Sequence, residues 1–402
     1  MAYVPPHRRV KASSSSYRRA QASSSSQTPI LYYLPEADID EGSAVFIWFA
    51  VDANVNPPPN LKLEFKPFAD TSIPHMRDKK VYTISVHSHP VNDVKNDVRS
   101  LMTNETSPWR YTLKKIKDDL RKCFHKLEKY IEVSEPYYAK PSFTARFGKI
   151  IFHGHGLAWH ESFTLETLEK TFSGQRGLQT PSKTFDTNIP KDIFEAVKEK
   201  AIISFASPTL KEKVAYLIWV RDVFNPDVAI MVTCRKKDMD GNQIVLKKIE
   251  LVTLKHLLTD TSCLNKLMDW RLSVTEKYMV DLHEEDKECI EGIVKSACID
   301  VSARGGLRWP PGVLKRNRFQ VREVCILNVT TVVGKTWDIK FQHANKVHLE
   351  DSSACRVSNE IDLKLKSISK YLRERRQWEE ENIMNILEDS LKWVWMEGLS
   401  II

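Results

Sequence analysis

Apolar residues in this chain recur with two different periods, and the switches between them predict its elements. Phe46, Trp48 and Ala50 interleave with Ile47, Phe49 and Val51, so both faces of that run are apolar, as in a short buried strand. Val81, Thr83 and Ser85 alternate with Tyr82, Ile84 and Val86, a second strand, which His87-Ser88-His89-Pro90 ends. Between the two, Pro57, Pro58 and Pro59 force an extended turn or loop. From about Pro108 to Val133 the period lengthens. Trp109, Leu113, Ile116, Leu120, Cys123, Leu127 and Ile131 return at three- and four-residue steps, opposite Lys114, Lys115, Lys117, Arg121, Lys122 and Lys126. Ser107 can cap this helix, and Pro108 stands at its first position, where a missing N–H is harmless.

Further along, Phe143 to His153 reads as a strand and about Pro190 to Lys200 as a helix with Ile193, Phe194, Val197 and Ala201 on its apolar stripe. Residues 214–222, 228–236 and 243–252 are β-rich, the last two joined by the hairpin signal Asp240-Gly241-Asn242. Trp270, Leu272 and Val274 alternate with Asp269, Arg271 and Ser273, which suits a half-buried strand. A helix follows at about 284–299, with Glu284, Glu285 and Asp286 at its positive end and Ile290, Ile293, Val294 and Ala297 buried. Residues 321–333 and 336–344 form a hairpin about Gly334-Lys335. The chain ends in helical periodicity, with one stripe of Ile361, Leu365, Ile368 and Leu372 and another of Ile383, Ile386, Leu387, Leu391 and Val394. Strands and helices come in mixed runs, not in regular βα alternation. The expected fold is therefore α+β with mainly antiparallel sheets, and a doubly wound nucleotide fold is disfavoured.

Composition changes this picture at one end. Residues 1–28 repeat a ten-residue unit, in which Arg8-Arg9, Ala12 and Ser13–Ser16 recur as Arg18-Arg19, Ala22 and Ser23–Ser26. Such a segment cannot bury enough apolar surface to offset chain entropy and is expected to be disordered. Its Arg8, Arg9, Lys11, Arg18 and Arg19 precede the first acidic residue, Glu36, and so supply five of the eight net positive charges. The rest, 29–402, is one globular α+β region, with a possible division into subdomains at about 29–205 and 206–402. Seven scattered cysteines with no C-x-x-C pair argue against a disulfide framework or a zinc finger. The N-terminal run lacks the apolar core of a signal peptide, and no apolar stretch approaches a membrane span. The expectation is a nuclear or cytoplasmic protein with no membrane contact.

Four segments stand out together: the start Met1-Ala2-Tyr3-Val4-Pro5-Pro6-His7-Arg8-Arg9, then Ala145-Arg146-Phe147-Gly148-Lys149-Ile150, then Asp269-Trp270-Arg271-Leu272, and Gly305-Gly306-Leu307-Arg308-Trp309-Pro310 followed by Glu323-Val324-Cys325. In these the chain resembles a plant family of uncharacterised proteins. The likeness spans nearly the whole chain and implies no activity, cofactor or catalytic residue. The serine repeat falls outside it. Tyr3–Arg8 also resembles short pieces near the disordered ends of some translation and mRNA-handling proteins.

Candidate chemistry is sparse. His153 and His155 share one side of a strand and His160 follows, but no acid or cysteine completes a metal set at familiar spacing. The glycines make no phosphate loop and there is no G-x-S-x-G elbow. Polynucleotide triphosphatases and phosphodiesterases built on β-tunnels hold metal with alternating glutamates, and no E-x-E falls on a predicted strand. No cofactor is expected. The densest basic cluster beyond the tail runs from Arg304 through Arg308, Lys315, Arg316 and Arg318 to Arg322, with Trp309 and Phe319 among them. Arginine forks grip phosphates and aromatic faces stack on unpaired bases. The same residues also have a structural reading, in which Gly305-Gly306 turn the chain and Trp309 plugs the core. The leading expectation is a non-enzymatic protein that binds RNA or a ribonucleoprotein, using Arg8, Arg9, Arg18, Arg19, Arg304, Arg308, Trp309, Arg316, Arg318 and Phe319. The alternatives are a protein-interaction adaptor, or a hydrolase or transferase whose pocket gathers residues such as Asp269, Arg271 and Glu323.

Overall fold

A computed structural model describes residues 45–52, 59–68, 81–86, 107–133, 139–153, 163–172, 182–204, 209–224, 229–237, 241–251, 254–264, 266–278, 282, 284–316, 318–334, 337–349, 355–366, 380–393 and 395–396. The basic serine-rich tail, His155, His160, Ile368 and Leu372 lie outside them. The first part of the described chain holds β1 (Val45–Asp52), β2 (Lys62–Pro67), β3 (Val81–Val86), α1 (Pro108–Val133), β4 (Ala139–His153), β5 (Phe163–Thr164), α2 (Leu165–Phe172), β6 (Ser182–Asp186) and α3 (Lys191–Ser204). Then come β7 (Thr209–Asp222), β8 (Ala229–Lys236), β9 (Ile244–Leu251), β10 (Leu254–Leu264), β11 (Asp269–Tyr278), α4 (Glu284–Lys295), β12 (Cys298–Ile299), β13 (Leu307–Arg308) and β14 (Lys315–Arg316). The last are β15 (Phe319–Val333), β16 (Trp337–His348), β17 (Cys355–Leu365) and α5 (Glu380–Trp393).

The main sheet runs in the order β1-β10-β11-β4-β17-β16-β15-β7-β8-β9. Every neighbour in it is antiparallel except β1, which lies parallel to β10. The α+β, mainly antiparallel expectation holds. β4, from the first half of the chain, sits between β11 and β17 from the second. β9, the far end of the order, also comes against β11, so the sheet curls and one of its faces is drawn inward.

The outer face carries the main core. Trp270, Leu272 and Val274 of β11, Phe143, Ala145 and Phe147 of β4, Ile361, Leu363 and Leu365 of β17 and Ile339 and Phe341 of β16 meet Ile116, Leu120 and Phe124 of α1, Phe194 and Val197 of α3 and Ile383 and Leu387 of α5. At full burial, each of the valine, leucine, isoleucine and phenylalanine side chains contributes about 1.5–3 kcal/mol. A smaller core joins β1, β2, the end of β4 and α2 through Trp48, Leu63, Phe65, Phe152 and Leu168. β1 serves both, with Phe49 and Val51 in the first and Trp48 and Ala50 in the second, as its two apolar faces predict.

β4 changes partners at Gly148: before it the strand pairs with β11 and β17, beyond it with β3 and β6. A Cβ at Gly148 would stand 2.1 Å from the Asp186 carbonyl oxygen, so only glycine permits this crossing. One sequence expectation is corrected. Ile361 and Leu365 belong to strand β17, not to a helix, because Leu363 between them is buried on the same face and the true period is two.

Candidate nucleic-acid interface

The inner face of the curled sheet is polar, and its side chains line up across strands. The pairing register places Asp260 of β10, Arg271 of β11, Arg146 of β4, Asp362 of β17, Lys340 of β16, Thr331 of β15 and Lys211 of β7 in one continuous row. Four cations share that row with two carboxylates. At one end the charges are matched. Asp260, with 2% of its side chain exposed, accepts from Arg271 Nε at 2.5 Å and Nη2 at 3.0 Å and from Lys183 Nζ at 2.5 Å. Burial works against its charge, but the hydrogen bonds and charges of Arg271 and Lys183 win and hold its pKa below the usual carboxylate value. The Arg271 guanidinium also lies 4.6 Å from the centre of the Phe185 ring.

In the middle, Arg146 Nε meets Asp362 Oδ1 at 2.8 Å, and Gln342 donates to Asp362 Oδ2 at 2.7 Å. The Arg146 side chain is 43% exposed. Asp362 raises its pKa although the surrounding protein opposes the charge. A group both hemmed in and wetted is one that faces a hollow. At the far end the matching fails. Lys211 and Lys213 are exposed, Lys340 is half-buried, and among the described residues none of the three forms an ion pair. Further along β16 on the same face, Lys346 pairs with Glu323 at 2.7 Å and sits 5.0 Å from the Trp219 ring centre, while His348 reaches the other Glu323 oxygen at 3.0 Å.

The segment that composition singled out lies on the other side. Gly305 and Gly306, at φ 76° and 74°, press against the outer surface of β15 and β16. A Cβ on Gly305 would stand 2.6 Å from Val324 Cγ2, and one on Gly306 3.0 Å from Ile326 Cβ. Trp309 is half-buried and its Nε1 donates to the Ile293 carbonyl at 2.9 Å, tying the turn to α4. Phe319 is fully buried, so its ring is not available for stacking. Arg318 is 14% exposed and binds Asp222 at 2.7 Å and Asp286 at 3.6 Å. Arg304 and Arg308 are exposed, Arg308 against Asp300 at 2.8 Å. Arg316 lies in β14, and its side chain is outside the described set, as are Arg8, Arg9, Arg18 and Arg19. Of the sequence candidates, then, Trp309, Arg318 and Phe319 are engaged in the fold.

The other candidates have separate partners. His153 Nε2 meets Thr184 Oγ1 at 2.9 Å, and no group of three metal-ligating side chains occurs among the described residues. The Asp269 carboxylate takes the backbone N–H groups of Ile150 and Cys263, each at 2.9 Å, and pins β4 and β10 to β11. Burial pushes its pKa up against the pull of Lys149. Asp269, Arg271 and Glu323 therefore bind different partners. What the sequence reading missed is the row itself, because its members come from strands hundreds of residues apart. The alternation in Asp269–Ser273 and the Ala145–Ile150 motif held two of its residues, Arg271 and Arg146, and were the available signal.

Fold and site together define an α+β protein whose curled antiparallel sheet turns a basic, polar face inward. The chain belongs to the family described as Domain of unknown function (DUF7903), which matches over residues 40–398. No curated protein matches it. Among solved structures it is similar to the S. pombe Pct1 RNA triphosphatase in complex with the Spt5 CTD, at 12% identity over 71% of this chain and 94% of that one, with a TM-score of 0.41. It is also similar to the Mimivirus capping enzyme triphosphatase, at 9% identity over 68% and 98% with a TM-score of 0.30. A putative adenylate cyclase from Bacillus halodurans matches at 10% identity over 51% and 85%, with a TM-score of 0.23. At these scores the likenesses carry no functional argument. Among the described residues no helix is long and apolar enough to cross a membrane.

Proposed function

We propose that this chain is a non-enzymatic RNA- or ribonucleoprotein-associated binding protein, nuclear or cytoplasmic, and that its inner sheet face contacts the phosphate backbone. The observation that carries the reading is the cross-strand row, whose charges balance at Asp260 and are in cationic excess at Lys340 and Lys211. Lysines held on a scaffold without carboxylate partners attract polyanions, and displaced counterions supply the binding free energy. Trp219, half-buried on the same face, lies further along β7 with Lys346 over its ring. Arg304, Arg308 and the tail arginines add sequence-independent affinity from outside the row. Crosslinking of the full chain to 4-thiouridine-substituted oligouridine, with peptide mapping, tests this. Crosslinked peptides from β4, β7 and β16 are expected. Crosslinks confined to residues 304–322, or an RNA-free protein complex recovered from extract with no crosslink at all, would overturn it, the latter in favour of an adaptor.

A further inference from the structure

Within the inner face the cationic excess is concentrated at one place. Lys340 and Lys211 flank Thr331 in the cross-strand row, and Lys213 is the next residue along β7 on the same face. Lys248 rises from β9 with Lys247 beside it at a break in the register, and both act on the charge of Lys213. Of the four groups that surround this point, Lys213, Lys247, Lys248 and Lys340, only Lys248 has a carboxylate partner among the described residues, Glu250 at 2.7 Å. The nearest acid in the row, Asp362, is held by Arg146 and Gln342.

We infer that Lys213, Lys247, Lys248 and Lys340 form a binding site for a phosphoryl group. The site deepens the RNA-binding reading, on which its biological source rests, by naming the place where one phosphate is held most tightly. A tetrahedral oxyanion has enough acceptor oxygens to take a hydrogen bond from each ammonium group, which replaces mutual repulsion with four charge-assisted contacts. Like charges gathered on rigid strands cost stability in the empty protein, and the anion removes that cost when it binds. Burial, Lys247, Lys248 and Lys340 together hold the Lys213 pKa below the ordinary lysine value, with no acid acting against them. An anion in the site reverses that influence and relieves the repulsion among the ammonium groups.

Calorimetric titration of the full chain with inorganic phosphate and with pyrophosphate tests the inference. Saturable binding at one site is expected. Lys213→Gln/Lys340→Gln should weaken it at least tenfold, whereas Lys213→Arg/Lys340→Arg should retain it, with thermal unfolding confirming that both variants fold. Labelled oligouridine distinguishes the sources. If phosphate binds, the glutamine variant loses it, and oligouridine is not bound by the wild type, the site stands and the RNA reading fails. If oligouridine binds, but phosphate and pyrophosphate do not and the glutamine variant keeps its RNA affinity, the site is wrong and the RNA reading survives. Absence of binding by all three overturns both.

Discussion

Asp260 shows how much of this fold rests on single ionic groups. It is almost fully buried, and the Arg271 guanidinium and the Lys183 ammonium converge on its two oxygens. Substituting Asp260→Asn keeps the shape and removes the charge, leaving two cations unneutralised where water is scarce. We predict a loss of about 3–5 kcal/mol in denaturant unfolding. The pH dependence follows from the same contacts. The folded carboxyl has its pKa lowered from 3.8, so the unfolded chain binds the proton more readily. The stability this group supplies is complete above the unfolded value and is lost as pH falls through the folded one. The gap between wild type and Asp260→Asn should therefore stay constant through the neutral range and narrow below about pH 4.

At the scale of elements, the glycine-rich turn is a packing device first. Gly305 and Gly312 both have left-handed backbones, at φ 76° and 82°, but only Gly305 faces an obstacle, Val324. A Cβ placed on Gly312 would meet nothing within 4 Å. Alanine at Gly312 should cost about 1 kcal/mol from backbone strain alone, and alanine at Gly305 about 2–4 kcal/mol because strain and a core clash combine. Equal losses in chemical unfolding would show that the turn does not lean on the sheet. Most long elements were legible from period alone. α1 begins at Pro108 and ends at Val133 as read, and the hairpin of β15 and β16 turns at Gly334. Among the long strands, two were not. β17 was hidden because Ile361 and Leu365 also fit a helical spacing. β10 was missed because Asp260 and Ser262 on one face are matched by the buried Thr259 and Thr261 on the other, so the strand gives no apolar alternation.

At the scale of the molecule, the site was illegible for the same reason that it exists. Its row is made by register, and each strand contributes one charged residue that, read alone, looks like an ordinary solvated position. Composition instead drew attention to Arg304–Arg322, where the outer face uses Trp309, Arg318 and Phe319 to hold the turn, α4 and β15 together. The most direct test of the inner face is the salt dependence of oligouridine binding, followed by fluorescence anisotropy for the wild type and for Lys211→Gln/Lys213→Gln/Lys340→Gln. Each phosphate neutralised contributes about 0.7 to the slope of log affinity against log salt for a single strand. The triple variant should therefore bind more weakly and show a slope shallower by about 2. Identical slopes and affinities for the two proteins would contradict the account.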